Sequence, residues 1–140
     1  MTVTRTRVAT AAALLASAAL LGTAATASAA PSLWVSQTAG LSTGQAVSVS
    51  LNGIDGSYGS VAIGQCKAVV AGPADCNLVG SLIGRADDGG AWRSNAGSAV
   101  TVVGAVGGVD CLASAGACMI AVTSLNNPSA ILATAPLSFG

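Results

Sequence analysis

The residues of this 140-residue chain that are most able to do chemistry are its four cysteines. Cys66, Cys76, Cys111 and Cys118 form an even set, which is typical of a disulfide framework in a small exported domain. Four cysteines allow three pairings, and the two local pairs each close a short loop that fits a hairpin. A zinc site of four thiolates is the alternative, but these spacings lack the closely spaced ligand pairs that zinc sites use. We therefore expect disulfides and no metal.

Groups that could act in catalysis are scarce. The chain has no histidine and no glutamate, and its five acids are all aspartates. Without an imidazole it has no Ser-His-Asp triad, no Cys-His pair and no base to activate its many serines and threonines. Asp87 and Asp88 are adjacent in a DDGG segment, where carboxylates usually bond to their own turn. The sequence therefore predicts a protein that is not an enzyme.

The charge pattern argues against nucleic-acid binding. The full chain has a formal net charge of zero, and charged residues make up only 7% of it. Without Arg5 and Arg7 the remainder has three bases and five acids, 3 − 5 = −2. Such a domain has no basic surface to neutralise phosphates. We expect no direct contact between the protein and nucleic acid.

The N-terminal segment has the three-part layout of a secretory signal peptide. Two arginines precede an uncharged run at 8–21, and small residues follow it up to Ala29. The run is shorter than the about 20 apolar residues that a transmembrane helix needs, so we expect no membrane anchor. The arginines are not adjacent, which favours the general secretory route. We predict a signal peptide at 1–29 and one secreted domain at 30–140, with its cysteines in an oxidising compartment.

Short alternating segments dominate the predicted domain, and none shows a long helical period. In the segment QAVSVSL at 45–51, Val47, Val49 and Leu51 share one face and the serines share the other. Turn signals rich in Gly, Asn, Asp and Pro separate such segments. Seven or eight strands predict an all-β, antiparallel β-sandwich, and Pro136 inside the last strand indicates an edge position or a bulge there. The predicted strands are 33–36, 45–51, 61–70, 79–85, 91–94, 99–103, 117–123 and 131–139.

Several motifs occur in a characteristic order along the predicted domain. They are GLSTGQAVSVSLNG at 40–53, IGQC at 63–66, Cys-Asn at 76–77, GGVDC at 107–111 and LSFG at 137–140. No single motif is specific, but together with the cysteine spacing they resemble the neocarzinostatin family, the secreted apoproteins of antitumour antibiotics. The resemblance extends over nearly all of 30–140.

The resemblance implies a fold, a ligand and two disulfides. The fold is an immunoglobulin-like, seven-stranded antiparallel β-sandwich with a small ribbon subdomain. Family members hold a labile, non-covalently bound enediyne chromophore in a cleft, and the released chromophore damages DNA. The protein would then be a monomeric, non-enzymatic carrier of a small apolar ligand with antibiotic activity. By the same resemblance, the disulfides join Cys66 to Cys76 and Cys111 to Cys118.

This sequence departs from the family pattern where the ligand would lie. Ala68 and Ala74 stand at positions that carry an aromatic and a leucine in neocarzinostatin. A further aromatic position falls on Ser81 or, with a shift of one residue, on Leu82. The residues that we expect to line the cleft are Gln65, Cys66, Ala68, Ala74, Cys76, Leu82, Trp92, Met119 and Thr123.

Some of these residues also fit a purely structural role. Gln65 could satisfy backbone groups at strand ends, Trp92 could pack within the sandwich, and Met119 could fill the core, while Trp34 is expected to cap the core. Each lost aromatic removes about 150–250 Å² of contact surface, so a flat polycyclic ligand would be held weakly unless a tryptophan replaces it. The carrier is therefore tuned to another apolar ligand, or the chain is a secreted adhesion or structural module that has lost chromophore binding.

Overall fold

The computed structural model describes residues 30–140. The predicted signal peptide at 1–29 lies outside the described residues. Within them the chain forms ten β-strands and two short 3₁₀ turns, at Gly56–Tyr58 and Pro73–Asp75, and no helix that could cross a membrane. The strands are β1 (Ser32–Val35), β2 (Ala46–Asn52), β3 (Val61–Lys67), β4 (Leu82–Ala86), β5 (Trp92–Ser94), β6 (Ala99–Thr101), β7 (Ala105–Val106), β8 (Val109–Asp110), β9 (Cys118–Ser124) and β10 (Asn127–Pro136).

Two antiparallel sheets pack face to face. One has three strands in the order β1-β2-β6, and the other has five in the order β10-β9-β3-β4-β5. Strands β7 and β8 form a separate two-stranded ribbon. The described chain is thus an all-β sandwich with a small ribbon, as predicted, with eight strands in its two large sheets.

The alternation in β2 decides which of its side chains enter the core. Val47, Val49 and Leu51 are buried, and the serines between them are exposed. They pack against residues of the opposite sheet, among them Ile63 on β3 and Val122 on β9. Burying one such aliphatic side chain stabilises the fold by about 1.5–3 kcal/mol. The core therefore lies between the sheets, as the period-two pattern predicts.

Both predicted disulfides are present. Cys66 is bonded to Cys76, which closes a loop at the end of β3. Cys111 is bonded to Cys118, which closes the loop between β8 and β9. We call residues 66–76 the disulfide loop, because it forms one side of the cleft described below.

Two features at the edges of the sheets test further predictions. β10 is an edge strand with irregular pairing to β9, and Pro136 lies at its end, where no further strand needs its missing N–H. Trp34 was expected to cap the core, and this is wrong: it is 57% exposed. It pairs with Ser50 on the outward face of β1 and β2, because Leu33 and Val35 take the inward positions.

Candidate ligand-binding cleft

A cleft lies on the face of the five-stranded sheet that points away from the core. On β3, Ile63 and Gln65 point into the sandwich, so Gly64 and Cys66 face outward. The cleft has a volume of about 310 Å³, which is at the small end of the range for ligand-binding pockets. It is lined by Ala62, Gly64, Cys66, Val70, Gly72, Pro73, Cys76, Leu78, Ser81, Ile83, Ala121, Thr123, Leu125 and Pro128.

Small residues on two neighbouring strands make the floor of the cleft. Gly64 on β3 pairs directly with Ala121 on β9, and Ala62 pairs with Thr123. Side chains at paired positions stand next to each other on one face of a sheet, so the floor, defined as Ala62, Gly64 and Ala121, is lower than its surroundings. A Cβ on Gly64 would lie 2.1 Å from the Ser81 hydroxyl oxygen. The hollow thus depends on having small side chains at these positions.

The disulfide loop forms one wall and is held by a carboxylate. The Asp75 side chain accepts hydrogen bonds from the backbone N–H groups of Ala71 at 2.7 Å and Gly72 at 3.2 Å. It also forms an ion pair with Lys67 at 3.0 Å. The pKa of Asp75 lies below its ordinary value, mainly because of the Ala71 N–H and then because of Lys67. The ionised carboxylate therefore ties both ends of the loop together.

The ribbon supports this wall from behind. Gly107 lies at the β7–β8 turn with a φ of 57°, and Gly108 follows with a φ of 80°. Two successive positive φ values suit a tight hairpin turn that glycine adopts without strain. A Cβ on Gly107 would lie 3.1 Å from the Asp75 Cα. The ribbon turn is therefore in close contact with the disulfide loop.

Aliphatic side chains stand exposed at the mouth of the cleft. Leu78, Ile83 and Leu125 are 61%, 54% and 44% exposed, and we call these three residues the rim. All three line the cleft. Exposed apolar side chains that are grouped around a hollow are typical of a binding surface.

The polar groups of the cleft are few and uncharged. The Ser81 hydroxyl donates a hydrogen bond to the Asn77 carbonyl at 2.8 Å, so its oxygen can accept one more. Thr123 brings a second hydroxyl to the wall. In residues 30–140 no group of three or more potential metal-ligating side chains is found. The lining side chains can bind and orient a guest, and none of them is charged.

The structure brings only some of the predicted site residues to the cleft. Cys66, Cys76 and Thr123 line it. Met119 packs against Cys66 as part of a small buried cluster beside the floor and lies outside the lining. Ala68 and Ala74 are exposed on the disulfide loop and do not line the cleft.

Three other predicted site residues lie inside the sandwich. Gln65 is fully buried, and its side-chain amide donates to the Val103 carbonyl at 2.8 Å and accepts from the Val103 N–H at 2.7 Å. Leu82 and Trp92 belong to the core, and the Trp92 indole N–H donates to the Val61 carbonyl at 2.9 Å. These three side chains are therefore directed away from the cleft, and their role in the structure is packing and backbone pairing.

On β4 the predicted cleft residue, Leu82, is one position away from the residues that line the cleft. Ser81 and Ile83 line the cleft, whereas Leu82 between them points into the core. A shift of one position moves a strand residue to the opposite face of its sheet. The unshifted match, Ser81, was thus the one on the cleft side. None of the three rim residues was among the predicted site residues, although alternation around Leu82 indicates Ile83 as its outward neighbour.

Comparison with known proteins supports this architecture. The family model of the neocarzinostatin family matches residues 33–139. The structure is similar to that of macromomycin, with 24% sequence identity, a TM-score of 0.59 and coverage of 79% of this chain and 100% of that chain. It is also similar to a solution structure of apokedarcidin, with 27% identity, a TM-score of 0.54 and coverage of 80% and 100%. No curated protein matches the chain.

Proposed function

The chain belongs to the neocarzinostatin family, and on that premise we propose that it is a secreted, non-enzymatic carrier of a small apolar ligand. The ligand is of the enediyne-chromophore type and binds without a covalent bond in the cleft beside the disulfide loop. The protein shelters this ligand from water and thiols, and any antibiotic activity and DNA damage come from the ligand. The carrier itself acts as a monomer and makes no contact with nucleic acid.

One observation carries the proposal: the cleft is open, apolar and uncharged. Its floor is built from small residues, and its rim exposes three large aliphatic side chains to solvent. Single exposed aliphatic side chains are ordinary on a protein surface, but three of them grouped around one apolar hollow favour a bound guest. A guest that covers the rim would remove this apolar surface from water, which drives binding.

Native mass spectrometry of the protein secreted by its own host tests the proposal. We expect a mass above that of the disulfide-bonded polypeptide, together with absorbance from a bound organic molecule. A mass equal to the polypeptide alone, under conditions that preserve weak complexes, would contradict the carrier function.

A variant pair makes the test specific to the cleft. Ala62→Leu fills the floor and should abolish the extra mass, because the ligand and the new side chain compete for the same space. Ala46→Leu adds the same side chain to an exposed strand position of the other sheet and should leave the extra mass unchanged. Equal ligand retention by both variants would mean that the ligand lies elsewhere.

An adhesive or structural role is the alternative, and one observation favours it. Trp34 is exposed on the outward face of the three-stranded sheet, where an aromatic side chain suits contact with a partner. On this alternative, Trp34→Ser would reduce retention of the protein on the surface of the producing cells. On the carrier proposal, the same variant would keep its ligand and its distribution.

A further inference from the structure

No aromatic side chain lines the cleft among the residues that the structure describes. The large lining side chains are aliphatic, and they are the rim residues together with Val70. Trp92 is in the core, and Trp34 lies on the outward face of the other sheet. A planar ring in the cleft would therefore have no aromatic face on which to stack.

The shape of the cleft also disfavours a thin, flat guest. Its floor has only glycine and alanine side chains, while branched side chains stand around the mouth. A planar guest would leave gaps above this low floor, and gaps of a fraction of an ångström already lose much of the dispersion attraction. A thicker, puckered guest would contact the floor and the rim at the same time.

The electrostatics of the cleft disfavour a charged guest. None of the lining side chains is charged. The two charged groups on the disulfide loop, Lys67 and Asp75, are paired with each other at 3.0 Å. An ionised guest would lose its hydration without gaining a counter-charge. Ser81 and Thr123 offer hydroxyl groups that can bond to an alcohol or a carbonyl of a neutral guest.

We infer that the part of the ligand that enters this cleft is uncharged, non-planar and free of aromatic rings, and that it carries a hydroxyl or carbonyl group. Flat aromatic compounds of the same size are poorer guests for this cleft. This inference rests on the proposed carrier function and specifies the ligand class for the same site. It follows from the aliphatic rim, the low floor and the two hydroxyls.

Two alcohols with the same number of carbon atoms test the inference. Cyclododecanol is a puckered saturated ring, and 2-naphthaleneethanol is planar and aromatic. Titration calorimetry of the disulfide-intact protein should show cyclododecanol binding about fivefold more tightly, since the naphthyl ring gains no stacking here. Amide chemical-shift changes should centre on Gly64 and Ala121 for cyclododecanol, which identifies the cleft as the site. Cyclododecylamine, which is cationic at neutral pH, should bind at least about tenfold more weakly than the alcohol.

A gain of aromatic surface provides the matched control. Ile83→Trp places a ring at the rim and should bring the affinity for 2-naphthaleneethanol up to or above that for cyclododecanol. Ser50→Trp, at an exposed position of the other sheet, should leave both affinities unchanged. Circular dichroism melting curves of both variants verify that they are folded.

The outcomes separate this inference from the proposed function. Binding of 2-naphthaleneethanol to the parent protein that is as tight as that of cyclododecanol or tighter, or equal binding of the amine and cyclododecanol, would overturn the ligand class and leave the carrier function standing. Binding of neither alcohol to the folded parent protein would overturn the ligand class, and the carrier function would fall with it only if the protein secreted by its own host also shows no extra mass.

Discussion

Replacing Gln65 by leucine separates a structural role of this residue from a role in ligand binding. The Gln65 amide bridges β3 to the segment after β6, through two hydrogen bonds to the backbone of Val103 and a contact of 3.3 Å from its Nε2 to the Cys111 sulfur. Leucine has a similar size and keeps the packing, but it can form none of these bonds. The backbone N–H and C=O of Val103 would then have lost their partner.

The expected loss of stability follows from the two backbone groups of Val103 that lose their hydrogen bonds. An unpaired buried polar group costs about 1–3 kcal/mol. Because Val103 itself is only half-buried, water can partly replace the bonds, and we take about 1–2 kcal/mol for each group. The free energy of unfolding should fall by about 2–4 kcal/mol, out of a total of about 5–15 kcal/mol for a domain. At about 4 °C per kcal/mol for this size, the melting temperature should fall by about 8–16 °C.

Thermal and guanidinium unfolding with both disulfides intact measure the change. Gln45→Leu is the matched control, since its bonds to Ser42 and Gln37 are exposed, and we expect it to change the free energy of unfolding by less than about 1 kcal/mol. At a temperature where the Gln65 variant is folded, its affinity for cyclododecanol should equal that of the parent protein. A Gln65→Leu protein as stable as the parent, or one that is stable but no longer binds, would refute this reasoning.

Three further perturbations have expected outcomes. Replacing Cys66 and Cys76 together by alanine should lower the free energy of unfolding by about 2–3 kcal/mol, because their bond closes a loop with a sequence separation of 10. Denaturant unfolding curves identical to those of the parent protein would contradict this. The lowered pKa of Asp75 stabilises the fold above its unfolded value of 3.8, and this contribution is lost as the pH falls through the lower folded pKa. At pH values below about 4 the melting temperature should therefore decrease, and it should decrease less in Asp75→Asn than in the parent protein. Identical dependence of the melting temperature on pH in the two proteins would show that this carboxylate is not responsible. Gly84→Ala would place a Cβ 2.2 Å from the Arg93 carbonyl oxygen on β5 and should destabilise the fold by about 1–3 kcal/mol. Gly72→Ala is the control, because a Cβ there meets no atom within 4 Å, and it should change the melting temperature little. Equal melting temperatures of the two variants would contradict the clash.

Local patterns in the sequence were sufficient to predict the fold. The alternation at 45–51 identified β2 and its buried face. Because the serines are all on one side of the strand, that side is stable in water and the apolar side must face the core. The resemblance of the motif order supplied the two disulfide pairs, which the spacing alone had left among three choices. The proline at the end of β10 indicated an edge position or a bulge for a reason that is equally local, the missing N–H.

The cleft was decided by tertiary structure. β3 and β9 are buried on both faces, since one face meets the opposite sheet and the other forms the cleft floor, so their apolar runs do not show which side is which. Gln65 was assigned to the ligand side for this reason, because only the packing of the two sheets determines which face of β3 becomes the core. Leu82 lies on β4, where burial alternates, so its assignment was a shift of one position. Sequence by itself determined that strands form and that cysteines cross-link them, because those properties are local. Which small residues meet to leave a hollow depends on the pairing of β3 with β9, which joins residues far apart in the chain.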